Sequence, residues 1–231
     1  MDSMTQTKNL KFSAMAANLA IMLAFASIIA LASLHVASPE FDPSWRMVSE
    51  YATGEFEWML FVFFTTWGLS TWCVCYVVWG RATSWAARVG ILLLFISGLG
   101  EILAAFFNVN HPQHGTAGAL GVPPFVVAAL LVSYHLRTKP EWADGRRWLL
   151  STAHAAWISL VLLVVTMVVM IAGFSKAGIP MGQGQVPPTE VPDGVIAIIG
   201  YVNRLLIAVF VGWLLLVARR YGTLLKSNSQ A

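Results

Sequence analysis

Residues Val89–Phe107 read VGILLLFISGLGEILAAFF, and this stretch decides the fold class of the chain. A transmembrane helix needs about 20 mainly apolar residues, and the stretch has that length with a single charged residue, Glu101, inside it. A charged side chain within the hydrocarbon is costly, so it is normally paired and often functional. The stretch therefore predicts a membrane span that carries a candidate site residue.

The composition indicates the same environment for the rest of the chain. Of the 231 residues, 58% are hydrophobic and 11% are charged, whereas soluble domains have about 25% charged residues. The predicted fold class is an all-α integral membrane protein, a bundle of six transmembrane helices joined by polar loops. Six segments have the required length and apolar character: Phe12–Leu34, Trp58–Trp79, Val89–Phe107, Ala117–His135, Trp148–Phe174 and Val195–Val217.

The basic residues predict the orientation of this bundle. Eleven of the fourteen Lys and Arg residues fall on one side of the six segments, and positively charged loops face the cytoplasm. We therefore expect a multi-pass protein of the plasma (cytoplasmic) membrane with both termini cytoplasmic. Residues 1–11 and 219–231 are the expected tails, and residues 12–218 the transmembrane domain. Two outer loops, His35–Glu57 and Ser175–Asp193, are long enough to cap the bundle.

Several functional classes are disfavoured by the sequence. No basic run interleaved with aromatic residues is present, so nucleic-acid binding is not expected. Cys73 and Cys75 lie two residues apart in an apolar segment, which favours packing over a disulfide or a metal site. The chain has no Cys-x-x-Cys-His motif, and His135 and His154 fit a pair of haem ligands poorly. We expect no metal and no cofactor.

Two charged residues inside the apolar segments mark the candidate site. A helix rises about 1.5 Å per residue, so counting from Arg88 places Glu101 about 10 Å inside the outer boundary of the membrane. The same count from Arg219 places Arg204 about 8 Å inside it. Because an ion pair requires similar depth, we expect Glu101 and Arg204 to face each other in the bundle interior or to share a polar cavity.

Other polar groups are predicted near the same depth. Ser97, Glu101 and Asn108 recur with helical spacing on one small or polar face of the third segment. Pro123 and Pro124 interrupt the fourth segment, where they free backbone carbonyls and kink the helix. The expected ligand-binding residues, drawn from two helices and two outer loops, are Glu50, Glu101, Asn108, His111, His114, Asn203 and Arg204.

Two local patterns carry weaker chemical signals. His111 and His114 are spaced to share a metal or to move a proton, with His35 or Glu50 as a third ligand, but two solvated loop histidines explain the pattern better. Ser49 precedes a carboxylate, yet the chain has no Gly-x-Ser-x-Gly elbow, so a helix cap or loop serine is favoured over a hydrolase.

Four short motifs resemble a family of bacterial and archaeal six-span membrane proteins known as domain of unknown function 998. The motifs are Ser49-Glu50-Tyr51, Glu57-Trp58-Met59-Leu60, the segment Phe106-Phe107-Asn108-Val109-Asn110 with His111 and His114, and Gly200-Tyr201-Val202-Asn203-Arg204. The resemblance implies the six-span architecture and the location of a site, but no reaction. Where this chain has Phe107-Asn108 and then Asn110, the family often has Phe-Pro and then Asp. This chain therefore lacks a carboxylate that the family often has in the loop.

Three functions remain open at this point. The preferred one is an outer-leaflet polar pocket for a lipid headgroup or small amphiphile, with Arg204 holding an anionic group. An enzymatic variant would use His111 or His114 as a general base. The alternatives are a small proton-linked transporter that uses Glu101 and a broken fourth helix, and a non-catalytic partner subunit of a membrane complex.

Overall fold

The structure, a computed structural model, describes residues 3–179 and 188–228, with side chains over residues 11–179 and 188–224. Over these residues the chain forms six long α-helices and no strand, and each helix is apolar enough to cross a membrane. The predicted six-helix transmembrane fold is thereby confirmed. The helices are α1 (Ser3–Ala37), α2 (Glu57–Trp79), α3 (Trp85–Phe106), α4 (His114–Leu136), α5 (Arg146–Lys176) and α6 (Ile199–Asn228).

The first and last helices extend beyond the apolar segments. Helix α1 starts at Ser3 and α6 continues to Asn228, so most of both predicted tails is helical. Backbone hydrogen bonding propagates along a helix past the point where the apolar residues end.

Six spans place both termini at the same end of the bundle, and the cytoplasmic assignment of that end stays a prediction. We call the opposite end, where α1 ends and α6 begins, the outer end.

The helices pack mainly on their neighbours in the chain, and α6 closes the ring. Helix α3 packs chiefly on α2 and α4, whereas α6 packs chiefly on α1 and α5. Aromatic residues fill the centre, where the rings of Phe125 and Phe210 stack 3.9 Å apart and Trp213 meets Phe125 edge-on. The indole Nε1 of Trp213 donates to the Ser133 hydroxyl at 2.9 Å, which ties α6 to α4.

Helix α4 is not broken at its two prolines, contrary to the sequence-based expectation. It runs from His114 to Leu136 with Pro123 and Pro124 inside it. Transmembrane helices tolerate interior proline because neighbouring helices supply hydrogen bonds to the backbone. Ser97 of α3 also donates to the Gly121 carbonyl at 2.6 Å, next to the Ala119 and Leu120 carbonyls whose helical amide partners the prolines remove. The transporter alternative therefore lacks the broken helix on which it partly depended.

Helix α3 approaches its neighbours closely through glycine. A Cβ atom at Gly100 would lie 2.5 Å from the carbonyl carbon of Leu120 in α4. A Cβ at Gly68 would lie 2.7 Å from the Gly98 carbonyl oxygen, so α2 and α3 also meet backbone to backbone. Small residues let membrane helices pack this tightly. Both contacts lie within a turn of Glu101.

The first outer loop, residues 38–56, folds over the outer ends of the helices. It contains a 3-10 helix at Val48–Thr53, and its side chains Phe41, Trp45 and Tyr51 are buried. The Trp45 ring lies 6.0 Å from that of Phe174 in α5, within a small apolar cluster that also includes Ile199. This packing holds the loop against α5 and α6.

Candidate functional site

The start of α6 and the first outer loop bind each other through their backbones. The amides of Gly200 and Tyr201 donate to the Ser44 carbonyl at 3.0 and 3.3 Å. A Cβ at Gly200 would lie 2.5 Å from the Pro43 carbonyl and 2.8 Å from that of Arg46, so only glycine fits there. The loop therefore supplies an acceptor that the first helical amides would otherwise lack.

Arg204, one turn into α6, is the centre of the outer-end site. Its Nε donates to His35 Nε2 at 2.6 Å, and its Nη1 donates to the carbonyls of Arg46 at 2.7 Å and Gly200 at 2.9 Å. Its Nη2 donates to the Tyr51 hydroxyl at 3.2 Å. These four bonds use four of the five guanidinium N–H groups and join α6 to α1 and to the loop.

His35 is held as the neutral tautomer by this geometry. Its Nδ1 lies 2.6 Å from the Leu31 carbonyl, which can only accept, so Nδ1 carries the proton. Its Nε2 is therefore free to accept from Arg204 Nε. A second proton on the ring would remove that acceptor and place two cations side by side.

Three further groups complete the outer-end site. Arg46 Nη1 forms an ion pair with Glu50 Oε2 at 2.8 Å, and its guanidinium lies 4.6 Å from the Trp45 ring centre. Glu50 Oε1 accepts from the Met47 amide at 2.8 Å, and Asn203 Oδ1 accepts from the Val48 amide at 2.9 Å. Asn203 and Arg204, at adjacent positions of α6, thus both bind the loop through hydrogen bonds.

Two of the four acidic side chains of the loop, Glu50 and Asp42, have opposite electrostatic surroundings. Burial raises the pKa of Glu50 above its ordinary value, although the Met47 amide, Arg46 and Arg204 each act to lower it. Asp42 is exposed, and hydrogen bonds from the Ser44 side chain and amide lower its pKa.

Ser38 lies one turn after His35, is fully buried, and has a hydroxyl without a hydrogen-bond partner.

The predicted ion pair between Glu101 and Arg204 does not form. Glu101 is 4% exposed, and its oxygens contact the hydroxyls of Thr71 at 2.6 Å and Ser97 at 3.1 Å. Arg204 binds His35 and the loop instead. The two residues lie on helices that pack mainly on different neighbours, since α3 adjoins α2 and α4 whereas α6 adjoins α1 and α5.

The histidine loop between α3 and α4 is stabilised by its own contacts. The His111 ring stacks on Phe107 at 4.5 Å, and its Nδ1 accepts from the Gln113 amide at 3.1 Å. His114 Nδ1 lies 2.8 Å from the Phe107 carbonyl, and Asn108 Oδ1 accepts from the Asn110 amide at 3.1 Å. His35 and Glu50, the suggested third metal ligands, are bound to Arg204 and Arg46.

The seven expected ligand residues thus fall into three groups. Glu50, Asn203 and Arg204 come together at the outer end, Glu101 is buried between α2, α3 and α4, and the remaining three lie in the α3–α4 loop. Sequence reasoning did not assign His35, Arg46 and Tyr51 to the Arg204 site. Arg46 and Arg204 are two of only three Lys and Arg residues outside the set of eleven that is predicted to be cytoplasmic, and this rarity was the available signal.

Comparisons with known proteins agree with this architecture. A family model described as "Protein of unknown function (DUF998)" matches residues 19–220. No curated protein and no solved structure matches the chain. The matched range includes the first outer loop, Glu101, the histidine loop and Arg204, so each group of candidate residues lies within it.

Proposed function

The chain belongs to the DUF998 family, whose function is unknown, and we propose that its outer-end site binds the anionic headgroup of a lipid or small amphiphile. One observation carries the proposal. Arg204 is a partly exposed cation that hydrogen bonds to α1 and to the first outer loop hold in a fixed orientation. Guanidinium groups with such fixed geometry suit phosphate and carboxylate ligands.

The charge around Arg204 supports an anionic ligand. Among the residues whose side chains the structure describes, the ion pairs are Arg46–Glu50, Arg81–Glu141 and Arg220–Asp144, so Arg204 has no carboxylate in direct contact. Its hydrogen-bond partners are the neutral side chains of His35 and Tyr51 and two backbone carbonyls. A cation that neutral groups solvate keeps its attraction for an incoming anion.

The surface beside the site supports a ligand with an apolar tail. Ile198, which directly precedes α6, and Tyr201 and Leu205 within it are 47%, 57% and 48% exposed, at intervals of three and four residues. Val36, the neighbour of His35 on α1, is 83% exposed. Helices α1 and α6 pack on each other, and the His35–Arg204 hydrogen bond crosses between them. An acyl chain along this surface would bring its headgroup to the outer end.

Native mass spectrometry of the intact protein in mild detergent tests the proposal. Phosphatidylglycerol is added to the wild type, to Arg204→Gln and to the matched control Arg219→Gln, which changes an exposed arginine near the opposite end of α6. Loss of one charge-assisted hydrogen bond costs about 1.5 kcal/mol or more, so Arg204→Gln should bind the lipid about tenfold more weakly. The control should bind as the wild type does.

Two results would reject the lipid-binding function. One is equal retention of phosphatidylglycerol by all three proteins, and the other is a bare mass throughout. A bare mass accompanied by a stoichiometric complex with another protein would favour the partner-subunit alternative. If Arg204→Gln does not fold, Arg204→Lys replaces it, because lysine keeps the charge but loses the fixed donor geometry. Undiminished lipid retention by a folded Arg204→Lys would also count against the proposal.

A further inference from the structure

Glu101 lies at the junction of α2, α3 and α4 and has no role in the outer-end site. Its Oε2 lies 2.6 Å from Thr71 Oγ1 of α2, and its Oε1 lies 3.1 Å from Ser97 Oγ of α3. Ser97 Oγ also lies 2.6 Å from the Gly121 carbonyl of α4, and Thr71 Oγ1 lies 3.2 Å from the Trp67 carbonyl. The carboxyl group is thus part of a chain of four oxygen–oxygen contacts.

The hydroxyl protons are too few for these contacts. Ser97 and Thr71 have one hydroxyl proton each, and a backbone carbonyl can only accept. The two shortest contacts, Ser97 with Gly121 and Thr71 with Glu101, need both protons. The contact between Ser97 Oγ and Glu101 Oε1 is then left without a proton unless the acid supplies it. A protonated Glu101 satisfies it by donating to Ser97.

Among the residues whose side chains the structure describes, no cation contacts Glu101. A cavity of about 50 Å³ beside it is lined by neutral residues, among them Phe64, Trp67, Ala104 and Phe210. A carboxylate buried without a cation is very costly, and in practice such a group takes up a proton. Burying a neutral, hydrogen-bonded carboxylic acid in this position costs no more free energy than burying a hydrogen-bonded alcohol or amide.

The other ionisable groups of the adjoining helices are occupied or distant. On α2, Cys75 lies one turn from Thr71 and contacts the Ile91 carbonyl, and Glu57 begins the helix. On α3, Arg88 lies 13 residues from Glu101. On α4, His114 lies seven residues before Gly121 and contacts the Phe107 carbonyl. On α6, which also lines the cavity, Arg204 binds His35.

We propose that Glu101 is a proton-binding site, which holds its proton in the closed bundle and donates it in a hydrogen bond to Ser97. Ser97 in turn donates its own hydroxyl proton to the Gly121 carbonyl, so the proton on Glu101 leaves the Ser97 hydroxyl free to join α3 to α4. Release of the proton would leave a carboxylate with no cation, which requires water to enter between helices that now touch at Gly100 and Gly121. Protonation and the closed packing are therefore linked, whether or not Arg204 binds a lipid.

Infrared difference spectroscopy of the full-length protein in lipid bilayers at neutral pH tests this site. The spectrum of Glu101→Gln is subtracted from that of the wild type, each labelled with ¹³C-glutamate in a parallel sample. We expect the C=O stretch of a protonated carboxylic acid, shifted by the label and by D₂O. The matched control is Glu55→Gln, which removes an exposed carboxyl and should remove carboxylate bands instead. Carboxylate bands in the Glu101 difference spectrum would overturn the proposal.

Stability and a second variant make the test independent of the folding of one mutant. A glutamine amide can donate to Ser97 and accept from Thr71 as the neutral acid does, so Glu101→Gln should unfold at the wild-type temperature. A clearly less stable Glu101→Gln would indicate an ionised wild-type residue. Ser97→Ala removes the acceptor of the acid proton, so the C=O band should move to higher frequency. An unmoved band would contradict the assigned hydrogen bond.

Discussion

Replacement of Arg204 by glutamine tests the hydrogen-bond network that holds the outer end together. Two of its bonds join α6 to other elements over short distances, to His35 Nε2 at 2.6 Å and to the Arg46 carbonyl at 2.7 Å. The bond to Tyr51 is longer, at 3.2 Å, and the Gly200 carbonyl belongs to the same helix. The two short bonds therefore dominate the expected effect.

The magnitude follows from the charged donor and the partial exposure of the site. A hydrogen bond to a charged group is worth about 1.5–3 kcal/mol, and the lower end applies because water reaches a partly exposed guanidinium. Loss of both short bonds should lower the free energy of unfolding by about 3 kcal/mol. Arg219→Gln on the same helix changes an exposed arginine and should cost about 0.5 kcal/mol or less.

The assay is unfolding in mixed micelles of mild detergent and dodecyl sulfate, followed by tryptophan fluorescence. A double-mutant cycle with His35→Ala separates the His35 contribution, because two residues in contact show a coupling energy of about 0.5–3 kcal/mol. The reasoning fails if Arg204→Gln is as stable as Arg219→Gln. It also fails in part if the two substitutions in the cycle are additive, since the short His35–Arg204 bond would then contribute nothing.

Two further predictions concern the same end of the bundle. Gly200→Ala should lower the free energy of unfolding by about 1–3 kcal/mol, because the added Cβ would press on the Pro43 and Arg46 carbonyls. The control Gly212→Ala, whose Cβ would meet no described atom within 4 Å, should be neutral or stabilising. Equal unfolding free energies for the two variants would contradict the close contact at Gly200. Because burial raises the pKa of Glu50, the folded protein binds more protons than the unfolded chain above about pH 4.5, so stability should fall as the pH rises through the folded pKa. Glu50→Gln should lack this decrease, and parallel stability curves for the two proteins over about pH 4 to 7 would refute the assignment.

The membrane fold could be predicted because hydropathy is a local property of the chain. Each apolar segment satisfies its backbone only as a helix, so its length and composition suffice to identify a span. The break of the fourth helix at Pro123 and Pro124 was predicted wrongly, because it does not depend on the local sequence alone. Whether proline interrupts a membrane helix depends on the packing and hydrogen bonds that neighbouring helices supply, and these are not visible in the sequence of α4.

The site could be predicted only in part. The scarcity of basic residues away from the predicted cytoplasmic side identified Arg204, and its neighbour Asn203 does bind the first outer loop. The role of His35 depends on its alignment with Arg204 across the α1–α6 contact, which no spacing in the sequence specifies. The α3–α4 loop was expected to join the same site, but its histidines contact Phe107 and Gln113.

By itself, the sequence determined that this protein spans a membrane six times, and it predicted the approximate depth of Glu101 and Arg204. Depth follows from counting residues along a helix, since the rise per residue is constant. Only the tertiary structure decided which residues meet, because the rotation and neighbours of each helix depend on packing against the others. Thus Glu101 faces Thr71 and Ser97 between α2, α3 and α4, while Arg204 holds His35 and the first outer loop.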